Sequence, residues 1–148
     1  MSTIIDGDTF KDNLNNTYRL LGVDTPESFD YSNNFEPTYG IQNYYAKQAT
    51  DLSKSLIHNK YVKVEPYKLD VYQRIVSKVS FNSIDLSKYL LKNGLARIKY
   101  ISPNKKDYYY YPDLDYYNGL LGIELHAKVN KVGIWGLSTI NQKMVFPK

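Results

Sequence analysis

Two short segments dominate what this chain can become. They are Asp6-Gly7-Asp8-Thr9 and, ten residues on, Arg19-Leu20-Leu21-Gly22-Val23-Asp24-Thr25-Pro26-Glu27. Ile4-Ile5 and Phe10 to Leu14 read as strand pieces around the Asp-Gly-Asp turn. Asn15-Asn16 is a turn signal, and Tyr18 to Val23 reads as a buried strand. The two segments therefore read as paired strands that carry carboxylates and a guanidinium. Arg19 sits among Leu20, Leu21 and Val23. If it faces inward it must find an anion or carry a desolvation penalty; on the alternate face it is an ordinary surface cation.

The rest of the chain offers little competing chemistry. It has no cysteine, which excludes thiolate zinc sites, thiol nucleophiles and disulfides. Its two histidines, His58 and His126, lie far apart and read as helix-surface residues. No Gly-x-Ser-x-Gly elbow, P-loop or dinucleotide fingerprint occurs. Its 148 residues suit one domain with a sizeable core. No apolar run approaches the roughly 18 residues of a membrane span, and no signal peptide is visible. The start, Met1-Ser2-Thr3, runs almost at once into the acidic motif, so the expectation is a trimmed amino-terminal strand.

Charge is divided unevenly. Residues 1–60 carry five basic and eight acidic side chains, and residues 61–148 carry fourteen basic and seven acidic ones. An acidic half suits a divalent cation and a basic half suits a polyanion, although solvated lysines alone would give the same balance. Lysine outnumbers arginine sixteen to three. In such a chain, arginine at Arg19 and Arg74 suggests a need for the planar fork rather than for charge alone. Arg74 also reads as an exposed cation at a strand start.

Further along, residues 28–40 read as a loop. A helix is expected from about Ile41 to Ile57, with Tyr45, Ala49, Leu52 and Leu56 at helical spacing. Tyr61 to Pro66 and Arg74 to Phe81 read as strands around a turn. Asp85 to Asn93 reads as a short helix closed by Gly94, and Leu95 to Ile101 as a last strand. A third helix is expected from about Asp113 to Val129, and Gly133-Ile134-Trp135 returns to the core with Trp135 as anchor. The order predicts an α+β domain, mainly β: a five-stranded OB-fold barrel with three helices, spanning residues 1–148.

The acidic set with Arg19 supplies hard oxygen ligands beside a guanidinium, the equipment of metal-assisted phosphodiester cleavage. Singly, Asp6, Asp8 and Asp24 read as turn and cap residues; with Arg19, Glu27 and Arg74 they read as a site. Tyr108 to Tyr111 and Tyr116-Tyr117, beside Lys105-Lys106, either stack bases or pack the third helix, and the tyrosine-rich composition favours packing.

Five blocks resemble the staphylococcal nuclease-like (thermonuclease) domain in the right order. They are Ile5-Asp6-Gly7-Asp8-Thr9, Arg19 to Glu27, Asp70-Val71-Tyr72-Gln73-Arg74, Asn93-Gly94-Leu95-Ala96 and Gly133-Ile134-Trp135. The resemblance implies an OB barrel and calcium-dependent hydrolysis of DNA and RNA, breaking the bond to the 5′ oxygen to leave 3′-phosphate ends. It implies Ca2+ ligation by Asp8, Asp24 and the Thr25 carbonyl, with Asp6 behind them. Glu27 takes the position that activates or orients water, and Arg19 and Arg74 take the phosphate-clamping positions. Tyr72 and Tyr100 take the nucleotide-lining positions. It further implies a monomer that is secreted or surface-attached in its full length. The chain departs from the family at Ser102, where a nucleotide-site tyrosine is expected, at Val71 in place of a lysine, and at Gln73 in place of a turn glycine. Two other readings stand beside the nuclease: a catalytically silent nucleic-acid- or protein-binding module on the same barrel, and an unrelated metal-binding structural protein.

Overall fold

The computed structural model describes residues 1–30 and 32–148. In chain order the elements are β1 (Thr3–Asp6), β2 (Thr9–Lys11), β3 (Thr17–Leu20), β4 (Val23–Asp24), β5 (Phe29–Asp30), β6 (Glu36–Pro37) and α1 (Gly40–Ile57). Then follow β7 (Lys63–Leu69), β8 (Ile75–Phe81), β9 (Ile84–Asp85), α2 (Leu86–Lys92), β10 (Arg97–Ile98), α3 (Leu114–Val129), a 3-10 turn (Gly133–Gly136) and α4 (Thr139–Val145).

The main sheet runs β1-β2-β3-β8-β7, with β9 paired to β8. Neighbours are antiparallel except β3 and β8, which run parallel with Arg19 opposite Val76. Two short ladders stand apart from this sheet, β4 with β10 and β5 with β6. The fold is therefore mixed α and β with a sheet-rich core. The expected five-stranded closed barrel is corrected in one respect: among the described residues no ladder joins β7 back to β1. The strand begun by β3 is also interrupted at Leu21-Gly22, ahead of β4. Gly22 adopts φ +82°, and a Cβ there would stand 2.8 Å from a Leu120 methyl. The chain swings under α3 at this point, and β4 pairs away from the main sheet.

Three helices were expected, and the described residues contain four. The fourth, α4, starts at Ser138, whose hydroxyl caps Asn141 N. α2 and α3 begin as their sequences suggest, with Asp85 and Asp113 accepting from Lys88 N and Tyr116 N. The core anchor near the carboxyl end is Ile134, fully buried, rather than the half-buried Trp135. The strand expected from Leu95 to Ile101 shrinks to Arg97–Ile98.

Phe10, Leu20, Val23 and Val79 from the strands meet Ala49 and Ile57 of α1, Leu86, Leu90 and Leu91 of α2, and Leu120 of α3. Each large side chain so buried contributes about 1.5–3 kcal/mol. The inner face of α1 is Ala46, Ala49, Ser53 and Ile57, with Leu52 and Leu56 on its flank. Those small residues let α1 lie against the Asp-Gly-Asp turn. The first residues dock on the far end of the same helix, where Asn59 N donates to the Met1 carbonyl at 2.7 Å. No helix among the described residues is long and apolar enough to cross a membrane.

Candidate active site

Asp6 pairs with Thr9 across the first hairpin, leaving Gly7-Asp8 as its tip. A hairpin tip usually faces water. This one is buried, because α1 and the Thr25 segment close over it. A Cβ on Gly7 would lie 2.8 Å from Ala49 Cβ and 2.9 Å from Thr25 Cγ2. The Ser53 hydroxyl donates to the Gly7 carbonyl at 2.7 Å, and Leu20 N donates to the Asp8 carbonyl at 2.9 Å. The turn is thus tied to a helix and to a strand, and it holds Asp8 at a fixed point. One oxygen of Asp8 accepts from the Thr9 hydroxyl and the other from Thr25 N, both at 2.9 Å.

Arg19 points inward from β3 and finds its anions. Its Nη2 lies 3.4 Å from Asp8 Oδ2 and 3.5 Å from Asp24 Oδ1. Its Nη1 donates to the carbonyls of Val23 at 2.7 Å and Leu20 at 3.2 Å. Two carbonyls therefore set the plane of the guanidinium, and two carboxylates share its other end. Burial works against the Arg19 charge, but Asp8, Asp24 and Glu27 outweigh it and hold the group above its usual range.

Asp24 has a second cation that sequence reasoning missed. Arg97 stands opposite it in the β4–β10 ladder and donates from Nε to Asp24 Oδ2 at 2.9 Å. Phe146, just past α4, lies over the Arg97 guanidinium at 4.5 Å. A signal for Arg97 was present: it is the third arginine of a chain with sixteen lysines. Burial and the neighbouring Asp8 push Asp24 up, while Arg19 and Arg97 pull it down, and the net is a rise.

Two more acids crowd the same place. Burial lifts Asp6 to about 6, with Asp8 adding to the rise while Ser28 and Arg19 oppose it. Burial, then the charges of Asp8, Asp6 and Asp24, lift Glu27 to about 8. Glu27 is held by its own backbone, whose carbonyl accepts from the Thr38 hydroxyl at 2.8 Å. Asp6 Oδ1 and Thr25 Oγ1 are buried with no hydrogen-bond partner. Unpartnered buried oxygens are uncommon and call for a ligand, a water or an ion. Together with the mutual repulsion of the acids, they fit a hard cation held by Asp8, Asp24 and carbonyl oxygen. Among the described residues no three acidic or histidine side chains form a cage by themselves. A cation here would draw its remaining ligands from carbonyl, water and phosphate oxygen, as calcium commonly does.

Asp6, Asp8, Arg19, Asp24, Thr25 and Glu27 thus come together. Tyr100 joins them, its ring centre 5.8 Å from Arg19 Cζ. Its φ of +60° is a left-handed conformation that costs an aromatic residue about 1–2 kcal/mol. Such strain gathers at functional sites and ends β10 early. Arg74 and Tyr72 sit on a separate turn. Asp70 Oδ2 accepts from Arg74 Nε at 2.7 Å, and Asp70 Oδ1 accepts from Tyr72 N and Arg74 N. The Arg74 guanidinium lies 5.1 Å from the Tyr72 ring centre. Gln73, standing where a glycine was expected, keeps the glycine-type path with φ +65°.

Residues 17–137 match the family described as staphylococcal nuclease homologue. The chain is 35% identical over 108 residues to a thermonuclease of Staphylococcus hyicus, covering 70% of this chain and 60% of that protein. It is 31% identical over 140 residues to the endonuclease YncB of Bacillus subtilis (strain 168), covering 90% and 59%. With the SPbeta prophage-derived endonuclease YokF of the same organism it shares 30% identity over 137 residues, covering 88% and 41%. The chain therefore spans about 60% or less of the length of these relatives.

Proposed function

This chain belongs to the staphylococcal nuclease homologue family, and on that premise we propose that it is a calcium-dependent nuclease hydrolysing DNA and RNA to 3′-phosphate products. One observation carries the reading. Arg19 is buried between Asp8 and Asp24 with its fork set by two carbonyls, and Glu27 faces the same acids. A silent binding module has no need of this arrangement, which concentrates unfavourable charge where a reacting phosphate would sit.

Asp8, Asp24 and the Thr25 carbonyl would hold the calcium, which when bound supplies Lewis acidity toward a phosphate oxygen and a template for substrate. The protein's own groups do the rest. Arg19 presents hydrogen-bond donors to the phosphoryl oxygens as charge builds in the five-coordinate state, and each such donor is typically worth about 3–4 kcal/mol. Leu20 and Val23 hold its plane through Nη1, while Nη2, shared here by Asp8 and Asp24, would turn to the phosphate once those carboxylates hold the cation. Arg97 neutralises the outer oxygen of Asp24 and so positions that carboxylate. Glu27 holds its proton beside the unscreened aspartates; with their charge offset by a bound cation it would ionise and accept a proton from the attacking water. The water oxygen bonds to phosphorus, the bond to the 5′ oxygen breaks, and that oxygen takes a proton from solvent and leaves as a hydroxyl. Arg74 would supply the second clamp on release from Asp70. Tyr100 would hold the nucleotide against the Arg19 side of the site.

The test is digestion of plasmid DNA and of RNA with calcium and with chelator, followed by end-group analysis. Calcium-dependent products bearing 3′-phosphates support the proposal. Nucleic-acid binding without cleavage would favour the silent module.

A further inference from the structure

A row of aromatic rings leaves the Arg19 site and crosses the surface. It starts at Tyr100. The Tyr109 ring lies 5.2 Å from that of Tyr100, and the Tyr108 ring 5.0 Å from that of Tyr109. Lys68 Nζ then stands over Tyr108 at 4.6 Å and donates to the Tyr108 carbonyl at 2.9 Å. The segment is fixed in place: Ser102 N donates to the Tyr109 carbonyl, Tyr111 N to the Ser102 carbonyl, and the Tyr67 hydroxyl to the Tyr110 carbonyl.

The tyrosine run was expected to serve packing, and part of it does. Tyr111 packs on the core, and Tyr116 is buried. Tyr108 and Tyr109 do not; they remain 59% and 41% exposed. Ordered, exposed rings in a continuous strip mark a binding surface. Charge selects the occupant. Lys68 stands at the outer end, Lys99 Nζ lies 5.4 Å from the Tyr100 ring centre, and Lys105 and Lys106 are exposed in the turn that carries the strip. The one carboxylate of that turn, Asp107, caps Tyr109 N. A run of rings flanked by cations at both ends, continuous with an arginine site, suits bases and phosphates of a polynucleotide.

We propose that Tyr109 and Tyr108, flanked by Lys68, bind the bases of a single-stranded segment that runs on from the nucleotide at Tyr100. The strand is single because bases offer their faces to a side chain only when unpaired. DNA and RNA share that chemistry. The inference rests on the nuclease reading only for where the strip begins.

The experiment measures binding without cleavage. Fluorescence anisotropy with the full chain in chelator compares a labelled oligothymidylate of about ten nucleotides, a dinucleotide, an oligouridylate of the longer length and a matching duplex. The longer single strands should bind at least about tenfold tighter than the dinucleotide and the duplex. Tyr108→Ala with Tyr109→Ala should lose about tenfold or more on the longer strands and clearly less on the dinucleotide, which extends no further than Tyr109. Tyr108→Trp with Tyr109→Trp should restore the loss, which guards against a misfolded alanine variant. Lys68→Ala should lower the salt dependence of binding. Equal affinity of wild type and the alanine pair for the longer strands overturns the proposal, as does tighter binding of duplex. Similar affinity of thymidylate and uridylate means the strip serves either nucleic acid, and a preference identifies its natural strand. Tyrosine-dependent binding without calcium-dependent cleavage keeps the strip and removes the hydrolytic reading. Cleavage that is indifferent to the alanine pair at every length does the reverse.

Discussion

Glu27→Gln should make the metal-free protein more stable above neutral pH. Folded, Glu27 keeps its proton up to about pH 8; unfolded, it loses it near its ordinary 4.5. Below pH 4.5 both states are protonated, and the group contributes its full stabilisation. As pH rises, the unfolded chain releases the proton into water while the folded chain holds it. Stability is therefore lost progressively through the window and is gone above about pH 8. At about 1.4 kcal/mol per pH unit the ceiling is about 5 kcal/mol, and screening at its partly exposed carboxyl reduces that to about 2 kcal/mol. Asp6 acts in the same sense between its ordinary 3.8 and about 6, so only the difference between wild type and variant isolates Glu27. The assay is urea unfolding in chelator at steps from pH 5 to 9. Wild type should lose about 2 kcal/mol more than Glu27→Gln between pH 5 and about 8, with no further difference above that. Parallel curves, or wild-type stability that rises with pH while the variant's does not, would refute the reasoning that burial and the three aspartates crowd this carboxyl.

Three further outcomes follow from the geometry. Arg97→Ala leaves a buried oxygen of Asp24 without its 2.9 Å donor, so the unfolding midpoint in chelator should fall by an amount worth about 1–3 kcal/mol. Gly7→Ala forces its Cβ to within 2.8 Å of Ala49; stability should fall by about 1–3 kcal/mol, and cleavage should weaken with it as the tip carrying Asp8 is displaced. Gln73→Gly relieves a φ of +65° and should raise stability by up to about 1 kcal/mol in thermal unfolding, since glycine alone takes that conformation freely.

The inner site was legible because its residues break the pattern around them. An arginine among Leu20, Leu21 and Val23, if it faced inward, had to be paired, and acids stood in the two neighbouring segments that could reach it. α1, α2 and α3 were legible from periodicity and caps. The inner face of α1 was legible at Ala49 but not at Ser53, which is set by closeness to the Gly7 turn, a contact 46 residues away in sequence. Arg97 meets Asp24 across 73 residues, a pairing set by one short ladder that nothing local announces. The last strand was overextended because Tyr100 turns left-handed. α4 has only seven residues, and Val145 is its one buried side chain, so it shows no periodic stripe. Arg74 was read as a clamp without its local partner, yet Asp70 lies four residues before it and holds it at 2.7 Å.

The most direct test of the central claim, that Asp8, Asp24, Arg19 and Glu27 form a calcium-assisted phosphodiesterase site, is single-turnover cleavage of an end-labelled oligonucleotide by wild type and Asp24→Ala. Calcium binding is read in parallel by calorimetry. Wild type should cleave with calcium and stop with chelator, while Asp24→Ala should lose calcium affinity and at least about a thousandfold in rate, or roughly 4 kcal/mol of barrier, and remain folded. Cleavage that survives chelator, or an Asp24→Ala variant that binds calcium and cuts like wild type, would contradict it.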